Sequence, residues 1–245
     1  MTIREEERAY FSEGIECKGF LAFPEEKGKA PCVLVAHAWM GQDDFAREKA
    51  VELAKLGYIG FAADLYGNGT QVSSQEKAME LMLPLFTDRN MLRKRIVAAF
   101  EAAKKIDGVE TSMIGAIGFC FGGQTVLELL RSGVSVKGVV SFHGVLGNKL
   151  GDKEAVLEPN SDTIDGACLL LHGHDDPMVS NEDLVALQEE LTESKVDWQL
   201  HIFGHAMHAF TNSNADDSKS GLLYNETAAK RSWLLMKDFF KEVFV

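Results

Sequence analysis

The chain has 245 residues, of which 46% are hydrophobic and 25% are charged, and its formal net charge is −12. This composition supports a large buried core and excludes a disordered protein, and the length fits one domain over residues 1–245. The acidic balance argues against nucleic acid and against an anionic membrane surface as partners.

The first half of the chain predicts a hairpin followed by alternating strands and helices. Short alternating segments at residues 9–11 and 16–23 flank Glu13-Gly14, a pair typical of a tight turn. Beyond them, continuous apolar runs predict buried strands, and apolar residues at helical spacing predict amphipathic helices. The predicted elements are a strand at 31–38, a helix at 45–56, a strand at 58–65, and helices at 75–85 and 89–106.

The second half continues the alternation and predicts a parallel sheet. Its predicted strands are residues 112–118, 136–142, 167–172 and 197–203, and its predicted helices are residues 121–131, 181–193 and 226–243. Residues 144–165 are polar and irregular, and we expect them to form an excursion near the functional site. Strand–helix alternation with continuously apolar strands indicates a parallel sheet covered by helices on both faces.

A nucleophile turn stands between two of these elements. Gly118, Cys120 and Gly122 follow the apolar end of a predicted strand and open a predicted helix, with cysteine where many hydrolases have serine. Side chains at the two glycine positions would collide with the neighbouring backbone. The N–H groups and positive dipole end of the helix favour a thiolate at Cys120. We therefore expect Cys120 to be a catalytic nucleophile, against the alternative of a buried cysteine in an ordinary turn.

The loops after the last two predicted strands offer an acid and a base in the order that a hydrolase triad requires. The first loop contains Asp175 and Asp176, and we favour Asp176 because the Asp-Pro pair fixes a turn. The second contains His205 and His208, and we favour His208. Such loops meet at the carboxyl edge of a parallel sheet, where ligands bind.

The loop after the first buried strand is expected to complete an oxyanion hole. Its donors would be the backbone N–H groups of Phe121, directly after Cys120, and of Trp39. His37 is expected to hydrogen-bond within the loop as a structural group. The histidines form no recognised metal-ligand pattern with cysteine or carboxylate, so we expect neither a metal ion nor a cofactor.

The chain resembles the dienelactone hydrolase family over most of its length. The matching segments are 37–41 (HAWMG), 64–67 (DLYG), 118–123 (GFCFGG), 176–179 (DPMV) and 208–210 (HAF). The resemblance implies the α/β-hydrolase fold, with a mostly parallel eight-stranded sheet. It also implies a Cys120–His208–Asp176 triad that cleaves esters, lactones or thioesters through an acyl-cysteine.

Two departures from the family pattern bear on the substrate. Ala38 stands where members of the family commonly carry a glutamate near the thiol, so His208 is expected to activate Cys120 directly. Where the dienelactone-cleaving members hold a carboxylate with arginines, this chain has Asn68 and Asn212. An amide cannot replace the charge of a guanidinium, which favours a neutral, more apolar ester. We expect Ala38 to line the substrate pocket and Trp39, Tyr66 and Phe210 to form its walls.

A different class of function stays open from the sequence. The chain could be a non-catalytic or thiol-redox member of the fold with a reactive Cys120. No signal-peptide core precedes the first strand and no Cys-x-x-Cys pair occurs, so we expect a reduced, cytoplasmic protein. Its partner would be a small-molecule ester or lactone, and a monomer is the default expectation.

Overall fold

An eight-stranded sheet forms the centre of the molecule in the computed structural model, which describes residues 2–25 and 28–245. The strands are β1 (Ile3–Ser12), β2 (Ile15–Pro24), β3 (Ala30–Ala36), β4 (Ile59–Ala62), β5 (Val109–Phe119), β6 (Gly138–Phe142), β7 (Ala167–Gly173) and β8 (Trp198–Phe203). They lie side by side in the order β1-β2-β4-β3-β5-β6-β7-β8.

The first two strands form the predicted hairpin, and the other six run parallel. β1 pairs antiparallel with β2, and β2 pairs antiparallel with β4. The turn between them has positive φ at Glu13 (50°) and Gly14 (82°), the pair of left-handed residues that a tight hairpin turn requires. The carboxyl ends of the parallel strands therefore share one edge of the sheet, and the loops that follow them meet there.

Six helices cover the sheet within the described residues. They are α1 (Asp44–Lys55), α2 (Gln75–Thr87), α3 (Arg89–Ala103), α4 (Phe121–Arg131), α5 (Asn181–Glu193) and α6 (Glu226–Val243). Side chains of Asp43, Ser74, Asp88, Ser180 and Asn225 cap the N-termini of all of them except α4. Among these helices none combines the length and apolar character that crossing a lipid bilayer requires.

Alternating side chains of the strands fill two separate cores, one on each face. In β3, Cys32 and Leu34 join the core under α2, α3, α4 and α5, whereas Val33 and Val35 join the core under α1 and α6. The mostly parallel eight-stranded sheet with helices on both faces that the resemblance implies is thus confirmed.

The element boundaries differ modestly from the predicted ones. α4, α5 and α6 begin and end where the sequence pattern predicts, whereas the strand predicted at 58–65 spans only Ile59–Ala62. Two small ribbons were not predicted. One pairs Lys149–Leu150 with Lys153–Glu154 inside the 144–165 excursion, and the other pairs Asp216–Asp217 with Leu222–Leu223.

Arginine side chains from α3 fix the excursion to the body of the protein. The guanidinium of Arg93 donates to the carbonyl oxygens of Glu158 (3.1 Å) and Pro159 (2.6 Å). The fully buried Arg89 donates to the carbonyl oxygen of Gly147 (3.1 Å). Because donors hold its backbone carbonyls, this irregular segment keeps a defined position beside the carboxyl edge of the sheet.

Replacing Gly60 of β4 by alanine should destabilise the protein strongly. A Cβ there would overlap the carbonyl oxygen of Ala50 in α1 and lie 2.8 Å from its carbonyl carbon, and backbone atoms cannot rotate away. Overpacking of a core costs about 1–3 kcal/mol, so the urea midpoint should fall clearly. Gly204→Ala is the control, since an added Cβ there meets nothing within 4 Å. Equal midpoints for the two variants would contradict this packing.

Candidate active site

Cys120 occupies a strained turn between β5 and α4. Its φ is 57° and its ψ is −117°, a conformation that L residues rarely adopt and that costs on the order of 1–3 kcal/mol. The surrounding backbone is packed too tightly for side chains. A Cβ on Gly118 would overlap the carbonyl oxygen of Gly122, and a Cβ on Gly122 would overlap the carbonyl oxygen of Ala36. The predicted steric reason for both glycines is thus present.

The N-terminus of α4 is left open beneath the thiol. Cys120 stands at the N-cap position and its side chain makes no capping hydrogen bond. Its backbone N–H donates to the carbonyl oxygen of Phe142 (3.1 Å), and its carbonyl oxygen accepts from Gly123 and Val145. The Phe121 N–H, at the first helical position, has no acceptor within its own helix. That donor and the helix dipole both favour negative charge near Cys120.

His208 and Asp176 form a buried hydrogen-bonded pair. The Nδ1 of His208 donates to the Oδ2 of Asp176 at 2.7 Å, and both side chains are at most 1% exposed. The other carboxylate oxygen, Oδ1, accepts from the backbone N–H of Met178 (2.9 Å). These two bonds fix the orientation of the imidazole. Its other nitrogen, Nε2, is buried and is the one left to interact with Cys120.

Charges around His208 stabilise its protonated form. Burial alone would lower the pKa of His208, but the negative charge of the Cys120 thiolate and the hydrogen bond to Asp176 outweigh it and raise the pKa to about 10. The imidazole beside Cys120 is therefore protonated over the neutral pH range.

Other histidines near the carboxyl edge are kept neutral. Burial lowers the pKa of His37 to about 4, and its Nε2 accepts the Leu65 N–H (3.2 Å) while its Nδ1 donates to the Ala38 carbonyl oxygen (2.6 Å). His37 is thus the structural group that we expected. Burial and the charge of His208 lower the pKa of His143, and burial lowers that of His172.

A cavity of about 350 Å³ opens beside Cys120 and His208. Trp39, Met79, Met82 and Phe119 give it a largely apolar wall, and Ala38 lies in it as predicted. Val145 and Leu150 of the 144–165 excursion also line it, so this segment does lie near the site.

Tyr66 lies behind the predicted oxyanion loop. Its hydroxyl donates to the backbone carbonyl oxygen of Trp39 (2.7 Å), and its ring packs edge-on against His37 at 4.8 Å. Burial and the nearby charge of Cys120 raise the pKa of its phenol. Tyr66 is not among the residues that line the cavity, so it supports the loop and is not the pocket wall that we expected.

Phe210 also requires a correction. We expected a pocket wall, but its side chain is fully buried and packs against Phe203 (5.4 Å) and His143 (5.0 Å), away from the cavity. The physical reason is the positive φ of Ala209 (58°), which turns the chain directly after His208. Of the asparagines that replace the family's arginines, Asn212 lines the cavity and Asn68 does not.

The structure separates the favoured acid and base from their neighbours in sequence. The His205 side chain is 98% exposed, and Asp175 lies near it and against the exposed His174 (2.7 Å). Neither His205 nor Asp175 lines the cavity. His208 lines it, with Asp176 hydrogen-bonded directly behind.

His143 is a further residue of the site and was not predicted from the sequence. This residue directly follows β6, lines the cavity and packs edge-on against His208 with 5.2 Å between ring centroids. Its Nε2 is 2.7 Å from the hydroxyl oxygen of Thr211. The available signal was its place at the carboxyl end of a buried strand next to the nucleophile's strand.

The comparison with protein families decides the relationship. The model of the dienelactone hydrolase family matches residues 17–244. The chain belongs to the dienelactone hydrolase family. Members of this family are carboxylic ester hydrolases that act on esters or lactones. This protein is therefore a carboxylic ester hydrolase.

Solved structures and curated relatives agree with the family assignment. A structure described as m3DLH is 37% identical, with a TM-score of 0.91 and 100% of both chains covered. A dienelactone hydrolase-like promiscuous phosphotriesterase from metagenomic libraries is 34% identical, again with a TM-score of 0.91 over 100% of both chains. A candidate carboxymethylenebutenolidase of Aquifex aeolicus is 26% identical over 93% of this chain and 94% of its own.

In this family member, Asp176→Asn should lower the pKa of His208. An amide keeps an acceptor for Nδ1 but removes the negative charge, so the pKa should move from about 10 toward its usual 6.5. At pH 8 the protonated fraction of the imidazole should therefore be smaller in the variant than in the wild type. Histidine-detected NMR titration measures this directly.

Asp175→Asn is the matched control for that titration. Asp175 is adjacent in sequence but contacts the exposed His174 and not His208. An unchanged titration of His208 in Asp176→Asn, or an equal shift in the control, would contradict the electrostatic role of Asp176.

Proposed function

We propose that this protein hydrolyses esters or lactones with Cys120 as the nucleophile, through an acyl-cysteine intermediate. The observation that carries the proposal is the arrangement around one cavity. The strained Cys120 opens into it at the N-terminus of α4, and His208 lines it with a buried Nε2 that interacts with Cys120. Asp176 holds the opposite nitrogen of the same imidazole at 2.7 Å.

In the first half of the reaction, the Cys120 sulfur attacks the ester carbonyl carbon. The carbonyl oxygen becomes an oxyanion that the N–H groups of Phe121 and Trp39 stabilise, at roughly 3 kcal/mol per donor in related chemistry. The tetrahedral intermediate collapses as the bond to the alcohol oxygen breaks. His208 gives its Nε2 proton to that leaving oxygen, and the acyl group stays on Cys120 as a thioester.

In the second half, water releases the acyl group. Neutral His208 takes a proton from water, whose oxygen attacks the thioester carbonyl carbon. The carbon–sulfur bond breaks, the carboxylic acid leaves and the thiolate–imidazolium pair re-forms. Asp176 keeps the imidazole in the tautomer with Nδ1 protonated and stabilises its positive charge in each step.

The proposed substrate is an ester with an apolar acyl or alcohol part and not a small anionic lactone. Ala38 offers no carboxylate beside the thiol, and Asn212 lines the cavity in the neighbourhood where dienelactone-cleaving relatives are expected to hold arginine. The methionine and aromatic walls favour an apolar acyl or alcohol group.

A thiol-redox role draws no support from the positions of the other cysteines. Cys17, Cys32 and Cys168 are fully buried, with Cys32 and Cys168 in the interior of strands β3 and β7. Burial raises the pKa of all three thiols, to about 12 for the latter two. A thiol held in this way is a poor resolving partner for an oxidised Cys120.

Hydrolysis of 4-nitrophenyl butyrate tests the nucleophile. Cys120→Ala should lower turnover by at least about a thousandfold, since removing the nucleophile leaves only binding and oxyanion stabilisation. Intact-mass analysis of wild type quenched during turnover should detect a butyryl adduct that the variant lacks. Cys168→Ala is the control and should keep its activity. Turnover that survives in Cys120→Ala would sink the proposal.

Tyr66→Phe tests the support of the oxyanion loop. Losing the hydrogen bond to the Trp39 carbonyl oxygen should reduce kcat about two- to tenfold, as expected for one net hydrogen bond of about 0.5–1.5 kcal/mol. KM should change little, because the loop is proposed to act on the transition state. Tyr58→Phe serves as the comparison, since it removes a hydroxyl from a ring that packs against Phe240 of α6. A purely KM effect in Tyr66→Phe would argue against this role.

A further inference from the structure

Apart from the Cys120–His208 pair, the charged side chains that line the cavity in the described part of the chain are all aspartates. Asp43, Asp216 and Asp217 line the cavity, and within the described part of the chain no lysine or arginine does. Asp216 and Asp217 are exposed, which puts them at the mouth and not at the apolar base. The only other titratable groups in the lining are Cys120, His143 and His208. His143 is held neutral by burial and by His208, and a thiolate–imidazolium pair has no net charge.

The two exposed aspartates stand on a fixed element. They form one strand of a small ribbon whose other strand is Leu222–Leu223. The Leu223 N–H donates to the backbone carbonyl oxygen of His208 (3.1 Å). At the ribbon's turn, Gly221 packs so closely on Pro177 that a Cβ would overlap the proline ring. The carboxylates are thus held at the mouth by the same two loops that carry the acid and the base.

Lys219 lies in the turn of the ribbon and does not line the cavity, and against the two aspartates it leaves the ribbon with a net negative charge. A second cation lies behind the wall and is already paired. The Lys49 ammonium pairs with Glu52 at 2.8 Å and lies over the rings of Phe45 (5.2 Å) and Trp233 (5.0 Å). It leaves the sign of the charge at the mouth unchanged. An acidic mouth above low-dielectric apolar walls concentrates a negative potential in the cavity. Aromatic faces such as Trp39 also accept alkylammonium groups favourably.

We propose that the cavity selects esters whose acyl or alcohol part carries a cationic group, in preference to neutral isosteres, and that it disfavours anionic esters. The aspartates on the ribbon are the specificity determinants, and the cationic group lies at the mouth while the carbonyl carbon reaches Cys120. This selectivity rests on the proposed hydrolysis, but the potential that produces it exists whether or not turnover occurs.

The potential at Cys120 is measured without turnover by charged thiol reagents. Methanethiosulfonates carrying trimethylammonium or sulfonate groups transfer their thioalkyl group to the thiolate, forming a mixed disulfide and releasing methanesulfinate. The cationic reagent should be favoured over the anionic one more strongly than with a small free thiol. Cys120→Ala identifies labelling elsewhere, which should be slight because the other three cysteines are buried.

Asp216→Asn with Asp217→Asn removes the charges with little change of shape. Asparagine keeps the side-chain oxygen through which Asp217 accepts the Ser220 N–H (3.2 Å). The cationic-to-anionic rate ratio should fall about threefold or more, because each charge that is removed attracts the cationic reagent and repels the anionic one. Asp162→Asn, an exposed acidic position away from the cavity, should leave the ratio unchanged. In wild type, 1 M salt should reduce the ratio as well.

Isosteric esters then test the selectivity itself. Hydrolysis of 4-nitrophenyl 4-(trimethylammonio)butanoate is compared with that of its carbon analogue, 4-nitrophenyl 5,5-dimethylhexanoate, and with the 4-nitrophenyl hemiester of glutaric acid. A second pair, butyrylcholine and 3,3-dimethylbutyl butyrate, places the cationic group and its carbon analogue on the alcohol side of the ester. Titration measures the acid that these two esters release. In at least one series, kcat/KM should be highest for the cationic ester, lower for the neutral one and lowest for the anionic one. These differences should be smaller in the double variant.

The possible failures are distinct. A rate ratio at Cys120 equal to that of the free thiol, or one insensitive to both the double variant and salt, would overturn the inference. So would neutral esters that are hydrolysed as fast as their cationic isosteres in both series. Absence of Cys120-dependent hydrolysis of every ester would instead contradict the proposed function, while the reagent ratio would still decide the sign of the potential.

Discussion

The close approach of backbone to backbone around Cys120 is the constraint on which the site depends. Gly122 lies against the end of β3 and Gly118 against Gly122, so the Cys120 turn can exist only where β3, β5 and α4 meet without intervening side chains. The strain at Cys120 is tolerated because the buried strands around it are fixed by the two cores. The same contact directs the thiol toward the loops that follow β7 and β8.

Electrostatics then divides the histidines into two groups. His208 has the Asp176 carboxylate on one side and Cys120 on the other, and together these overcome the cost of burying its charge. His37 and His143 remain neutral, because burial outweighs the effect of Asp64 on His37 and the charge of His208 adds to the effect of burial on His143. The difference lies in the neighbours and not in the depth of burial, since all three side chains are inaccessible to solvent.

The sequence predicted the elements that carry the site better than the surfaces that shape it. The glycine spacing around Cys120 and the place of Asp176 and His208 after buried strands reflect local sterics and parallel topology, which a pattern can report. The direction of Phe210 depends on a left-handed Ala209, which no residue type indicates. The ribbon that holds Asp216 is only two residues long on each strand, too short for any periodicity. The signal for His143 was its position directly after the buried strand β6.

The histidines that are held neutral also limit the stability of the folded protein at acidic pH. His37 and His143 would each gain a proton on unfolding once the pH falls below about 6.5, the ordinary pKa of the group. Their contribution to stability is present above that pH and is lost as the pH falls toward the depressed folded-state values, about 4 for His37. The slope is up to about 1.4 kcal/mol per pH unit for each fully buried group. His208 acts in the opposite direction, since its stabilising proton is lost as the pH rises toward about 10. The buried histidines therefore confine the stability of the enzyme to the neutral range, and Cys120 takes part in the alkaline limit because it raises the pKa of His208.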